Sequence, residues 1–120
     1  MNGEVDESGR ALIGLTVRAS AGADATQLAV WIDTAFTGEL VIPRATIRQL
    51  GLPQSAAVMA GLADGTQVVL ETYSCVLEWF GQERLVEVVE NDGLFPLLGV
   101  GLLRDRRLEI DYRSGTLVLE

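Results

Sequence analysis

In the stretch 28–43, LAVWIDTAFTGELVIP, one ionisable group stands out: Asp33. It ends an apolar run, Leu28 to Ile32, and a second apolar run, Leu40 to Ile42, follows within a few residues. A carboxylate in such a place either closes a turn, accepting hydrogen bonds from nearby backbone amides, or does acid–base work. Other reactive groups are scarce. The chain has no histidine and one cysteine, Cys75, so Ser-His-Asp and Cys-His nucleophile systems are impossible, and a zinc site would rest on carboxylates alone, an uncommon donor set. Neither GxGxxG nor a GxxxxGK(S/T) loop occurs, which removes support for phosphate binding. No cofactor and no metal are expected, and any catalysis falls to carboxylates.

The elements that must hold Asp33 follow from pattern. Ala11 to Arg18 and Leu28 to Asp33 read as strands around the small-residue loop Ala19 to Gln27. After the acid, Glu39 to Ile42 reads as a short strand. PRATIRQLGL then places Pro43 at a helix start and Gly51 just past its end, with Ala45, Ile47 and Leu50 available to face inward. Val58 to Leu70 reads as a hairpin about Ala63-Asp64-Gly65-Thr66, where Asp-Gly suits a type I′ turn. Tyr73 to Phe80 with Arg84 to Val89, and Leu108 to Tyr112 with Thr116 to Glu120, repeat the pattern about Gly81-Gln82 and Ser114-Gly115. The fold class is therefore mostly β: a small closed barrel with one short helix after the Asp33 strand and room for a second near the C-terminus. Met1 to Arg10, polar and without periodicity, reads as a flexible arm, and residues 11–120 as a single domain. Cys75, Trp31 and Trp79 are expected to pack in the core.

Composition bounds the partners. A chain of 120 residues is the size of one ordinary domain and buries roughly two-thirds of its unfolded surface. A formal charge of −8 speaks against nucleic acid or an anionic membrane, both of which require clustered cations. The window Leu94 to Leu103 is too short to span a bilayer and is interrupted by Pro96, Gly99 and Gly101. With no basic-then-apolar leader and no cysteine pair, a cytoplasmic setting is expected.

Two segments in order carry a family resemblance. Ile32-Asp33-Thr34-Ala35, with the apolar residues before it and Gly38 and an apolar strand after it, resembles the active-site loop of an aspartic protease. Leu97-Leu98-Gly99-Val100-Gly101-Leu102-Leu103 resembles the stretch that follows the flap in retropepsins, the single-domain retroviral-type aspartic proteases. Leu108 to Tyr112 and the strand after it look like the closing segment of bacterial members, and the resemblance covers about Ala11 to Glu120.

The resemblance implies a homodimeric aspartic endopeptidase acting on peptide or protein substrates. Each subunit supplies one Asp33, and the two carboxylates, at ~3 Å, share a proton across the two-fold axis. One then acts as general base on a water between them while the protonated partner hydrogen-bonds the scissile carbonyl. It also implies roles for Thr34 (a hydroxyl bonding the opposite loop), Ala35 (backbone beside the substrate), Leu62, Ala63, Asp64 and Gly65 (the tip of a substrate-covering flap), and Gly99 (a residue small enough to pass beneath the active-site loop). The alternative from another class is a catalytically silent dimer that keeps the barrel as a peptide- or protein-binding module.

Three departures matter. Ala35 replaces the usual glycine of the loop. The acid that viral members carry after the signature is replaced by Phe36 and Thr37, and the arginine after the later glycine by Val100. Both partners of that ion pair are missing together, so no charge is left buried alone. Phe36 and Gly38 match the variant loop of bacterial members.

Overall fold

The computed structural model describes residues 1–61 and 63–120. Its strands are β1 (Asn2–Val5), β2 (Ala11–Arg18), β3 (Thr26–Ile32), β4 (Leu40–Pro43), β5 (Gln54–Gly61), β6 (Gln67–Trp79), β7 (Gln82–Asn91), β8 (Leu97–Leu98), β9 (Leu108–Asp111) and β10 (Thr116–Leu119). Two short helices, α1 (Arg44–Leu50) and α2 (Val100–Leu103), interrupt them. The strands form one sheet in the order β5-β6-β7-β4-β8-β3-β2-β1-β10-β9, and an extra pairing of β6 with β2 closes the six from β6 to β2 into a barrel.

Period-two patterning explains most of it. In β2 the side chains of Ala11, Ile13, Leu15 and Val17 are buried and those between them are not, as a strand with one core face requires. All four residues of β4 are buried. That strand lies between β7, parallel to it, and β8, antiparallel, with both faces covered, which is why it reads as an unbroken apolar run. Helix α1 has Pro43 at its N-cap, and at its C-cap Gly51 takes φ 66°, donating to Arg48; glycine adopts this left-handed conformation without a Cβ penalty. Ile47 faces the core as expected, whereas Ala45 is exposed.

Several expectations need correction. The N-terminal arm is no loose segment over residues 2–5: β1 pairs with β10 on one side and β2 on the other. Only Gly3 and Val5 of this strand turn inward, and a Cβ at Gly3 would overlap Leu12 O, so close packing replaces the hydrophobic signal that marks other strands. The second strand of the hairpin expected over Val58 to Leu70 and the strand expected over Tyr73 to Phe80 are one, β6, running through the buried Thr72, whose hydroxyl meets that of Ser55 at 3.1 Å. The hairpin after β5 exists, but of residues 63–66 only Gly65 has positive φ, so it is no type I′ turn. The type I′ signature instead occurs one residue earlier than expected in the next hairpin, at Phe80 (φ 50°) and Gly81 (φ 80°).

The core gathers Ile13, Leu15, Val30, Leu40, Ile42, Leu77, Val88, Leu98, Leu117 and Leu119, among others. Cys75 and Trp79 are in it, and burial, aided by the charge of Glu39, pushes the Cys75 thiol up to about 12. Trp31 does not pack in the core. It is 39% exposed, because the alternation of β3 buries Val30 and Ile32 and turns Trp31 outward.

Candidate active site

Asp33 follows the last residue of β3, and its position is fixed by backbone. Trp31 and Ile32 pair in parallel with Leu97 and Leu98 of β8, and the Asp33 amide continues the ladder by donating to Leu98 O at 2.9 Å. The chain then turns: the Phe36 amide donates to Asp33 O at 3.2 Å, and the Ala35 amide donates to Asp33 Oδ1 at 3.0 Å. The local bond of an ordinary turn aspartate is thus present, and among the described residues it is the only hydrogen bond of the Asp33 carboxylate, which leaves Oδ2 unengaged. Thr34 and Ala35 are exposed beside it. Among the described residues nothing in the same chain hydrogen-bonds the Thr34 hydroxyl.

Beneath the turn runs the segment from Leu98 to Gly101. Gly99 donates to Glu39 O at 2.9 Å, Val100 to Phe36 O at 2.8 Å and Gly101 to Gly38 O at 2.9 Å. A Cβ on Gly99 would overlap Gly38 O and the Phe36 ring and come within 2.7 Å of Phe36 O. The approach of the two segments therefore leaves no space for a side chain at position 99.

Space opens on both sides of Asp33. One pocket, about 370 Å³, is lined by Trp31, Ile32, Asp33 and Leu97. The other, about 450 Å³, runs from Asp33, Phe36 and Leu97 past Val41, Val69 and Val89 to Arg44, Glu90, Asn91 and Asp92. Asp33 and Leu97 line both, so Asp33 stands between the two parts of the cleft. The other acids of that cleft are engaged: the Arg44 guanidinium is 3.4 Å from Glu90 and 3.2 Å from Asp92, and the Tyr73 hydroxyl is 3.4 Å from Glu90. At the mouth, Trp31 meets Phe95 edge-on with ring centres 6.2 Å apart, and Arg10 caps Phe95 at 4.0 Å while its Nε holds Asp6 at 2.7 Å.

Asp33, Thr34, Ala35 and Gly99 are thus brought together. The flap residues stand apart from them: Ala63, Asp64 and Gly65 form the exposed tip between β5 and β6 and do not line the cleft, and Leu62 lies outside the described residues. The hairpin reaches the cleft through Val69, 63% exposed. Val69, Arg44, Glu90 and Leu97 are cleft residues that the sequence does not mark as such, and Trp31, expected in the core, lines the cleft instead. The alternation within β3 was the one signal for Trp31, masked by the apolar run on both faces. Among the described residues no group of His, Cys, Asp and Glu side chains could hold a metal, and no helix is long and apolar enough to cross a membrane.

No protein-family model matches the sequence, and no curated protein matches it. Solved structures do match. A retropepsin-like aspartic protease from Rickettsia conorii superposes with a TM-score of 0.69 at 15% identity, over 99% of this chain and 88% of that one. The EIAV protease complexed with the inhibitor HBY-793 gives 0.59 at 17% identity, over 83% and 90%. The simian foamy virus (mac) protease gives 0.51 at 16%, over 72% and 87%. Identities this low speak for architecture, and the architecture agrees across all three: this chain is built on the fold of the retropepsin-like aspartic proteases.

Proposed function

We propose that the chain is one half of a homodimeric aspartic endopeptidase, with Asp33 as its catalytic residue. The observation that carries this is the setting of Asp33. It is pinned through its own amide to β8, opens onto a cleft on either side, and has one carboxylate oxygen unengaged while the other acids of the cleft are held by Arg44. A lone carboxylate cannot both take a proton from water and give one to a carbonyl oxygen, so a second copy must bring its Asp33 to the first. The exposed Thr34 and Ala35 are the residues that meet the partner loop and the substrate backbone in this reading. With two carboxylates sharing one proton, water attacks the peptide carbonyl with its proton passing to the ionised member, while the protonated member hydrogen-bonds the carbonyl oxygen. Gly99 supports the loop from below. The β5–β6 hairpin acts as the flap, with Leu62, Ala63, Asp64 and Gly65 as its substrate-covering residues, and residues 11–120 form the protease unit.

Subunit mixing tests the shared site. Wild-type and Asp33→Asn chains, once exchanged, form three dimers in binomial proportion, and only the all-wild-type dimer cuts. Peptidase activity against a mixed peptide library then falls as the square of the wild-type fraction, leaving about a quarter at an equal mixture. A linear fall, after exchange is verified by mass, would mean a complete site in each chain and end this reading.

A further inference from the structure

We infer that the ring of Phe36 is the wedge that sets the Asp33 turn, making Phe36 a positioning residue for the carboxylate. Its catalytic consequence rests on the function proposed above; the wedge itself does not.

Asp33 and Phe36 are the first and last residues of one turn, closed by the bond from the Phe36 amide to Asp33 O. Both ends are tied to the same neighbouring segment. Asp33 donates to Leu98 O at 2.9 Å, and Phe36 O accepts from Val100 at 2.8 Å. Leu98 to Val100 therefore acts as a ruler for the turn, and the Phe36 ring stands against its middle residue, Gly99. The ring also fills the space over Gly38: a Cβ there would meet the Phe36 ring and nothing nearer, with Cε1 at 2.9 Å and Cε2 at 3.1 Å. Two glycines thus leave room for one aromatic ring, which buttresses the turn, and Phe36 also lines the cleft beside Asp33. No charge takes part. The loop obtains by packing the rigidity that an ion pair would otherwise supply, with no cost for burying charge.

The glycines make the wedge testable. At Gly38 the three atoms nearest to an added methyl group all belong to the Phe36 ring, whereas at Gly99 backbone oxygens block it as well. Gly38→Ala must therefore displace the ring in the wild type and is freed of these contacts in a Phe36→Ala background. The experiment is a double-mutant cycle on Phe36→Ala and Gly38→Ala, read by urea midpoint and by amide exchange at Ala35 and Phe36, with Phe36→Leu as the milder replacement should Phe36→Ala fail to fold. We expect each single change to lower the midpoint and to speed exchange of both amides by about tenfold or more as the turn frays. We also expect Gly38→Ala to cost nothing further once the ring is gone. Additive midpoints, or exchange at the turn unchanged by loss of the ring, would overturn the wedge. In the peptidase assay, positioning predicts a kcat loss of about tenfold to a hundredfold with KM moving far less, and a partial return in Phe36→Leu. Normal kcat in a folded Phe36→Ala protein would overturn the positioning role. A wild-type protein that cuts no peptide would defeat the proposed function alone, because the midpoint and exchange measurements still decide the wedge.

Discussion

The Asp33 turn and the β5–β6 hairpin border the same cleft and are held in opposite ways. Four backbone hydrogen bonds sew the segment 33–39 to the segment 98–101, and the two pack so closely that glycine is required at position 99. Among the described residues the hairpin has no such anchor at its outer edge: β5 is the terminal strand of the sheet, paired with β6 alone, and its register slips between Gln54 and Ala56. Its tip is closed by its own residues, the Thr66 amide and hydroxyl donating to Asp64 Oδ1 at 2.9 and 2.7 Å. Under the proposed function the difference separates two demands on the site. Groups that must meet a developing charge work best preorganised, while a cover that admits and releases a chain must open at low cost.

The largest expected effect lies on the fixed side. Asp33→Asn keeps the shape of the turn but cannot accept the water's proton, so peptidase rate should fall by at least ~1,000-fold with the urea midpoint nearly unchanged; full activity in that variant would sink the mechanism. Next comes Gly99→Ala, whose methyl meets backbone oxygens as well as the Phe36 ring, and which should cost about 2–3 kcal/mol in urea unfolding. Its counterpart on the loose side is Gly65→Ala. Among the described residues nothing lies within 4 Å of a Cβ there, but φ is +87°, so the left-handed strain of about 1 kcal/mol remains. Equal costs at the two glycines would erase the contrast.

Smaller effects probe the hairpin alone. Saturation with a statine-type transition-state mimic should slow amide exchange at Asp64 to Thr66 by about tenfold and leave the amides of Asp33 and Val100 unmoved. Exchange at the tip that ignores the mimic would count against the flap. The smallest effect comes from acid. Hydrogen bonds from the Thr66 hydroxyl and amide hold Asp64 below the usual aspartate value of 3.8. The folded tip therefore binds its proton less readily than the open chain, and this support is present above pH 3.8 and lost as pH falls below it. The protection factor of the Thr66 amide should decline over that range.

What the sequence disclosed, and what it withheld, follows the reach of each interaction. The Asp33 loop, helix α1 between Pro43 and Gly51, and the succession of strands are local patterns and could be read directly. Strand β1 was hidden because its hold on the sheet rests on Gly3 fitting beneath Leu12 and on ladder bonds, neither of which leaves an apolar trace. Strand β6 was divided in two because Thr72 is polar yet buried. The cleft wall was out of reach for another reason: Arg44 and Glu90 are 46 positions apart, Val69 and Leu97 are likewise distant from Asp33, and only the closed barrel brings them together. The Asp-Gly pair at the hairpin tip favours a turn without choosing its type, and here the Asp64 side chain, bonded to Thr66, selects the longer one.

The barrel closes along a narrow seam. Strands β2 and β6 share only the pairs Val17 with Leu77 and Arg18 with Val76, extended by the Arg18–Glu78 ion pair at 2.9 Å. Those partners lie 60 positions apart, and by the logarithmic law of loop closure, joining a free chain across that distance costs about 4 kcal/mol of entropy. Two rungs and one ion pair return little of it, so the seam forms more readily after the hairpins that lie within the loop have shortened it. Those are β2 with β3 and β5 with β6, which favours an order in which they come first and the seam last. Weakening the seam, as with Val17→Ala, should hasten unfolding and leave the rate of folding almost untouched.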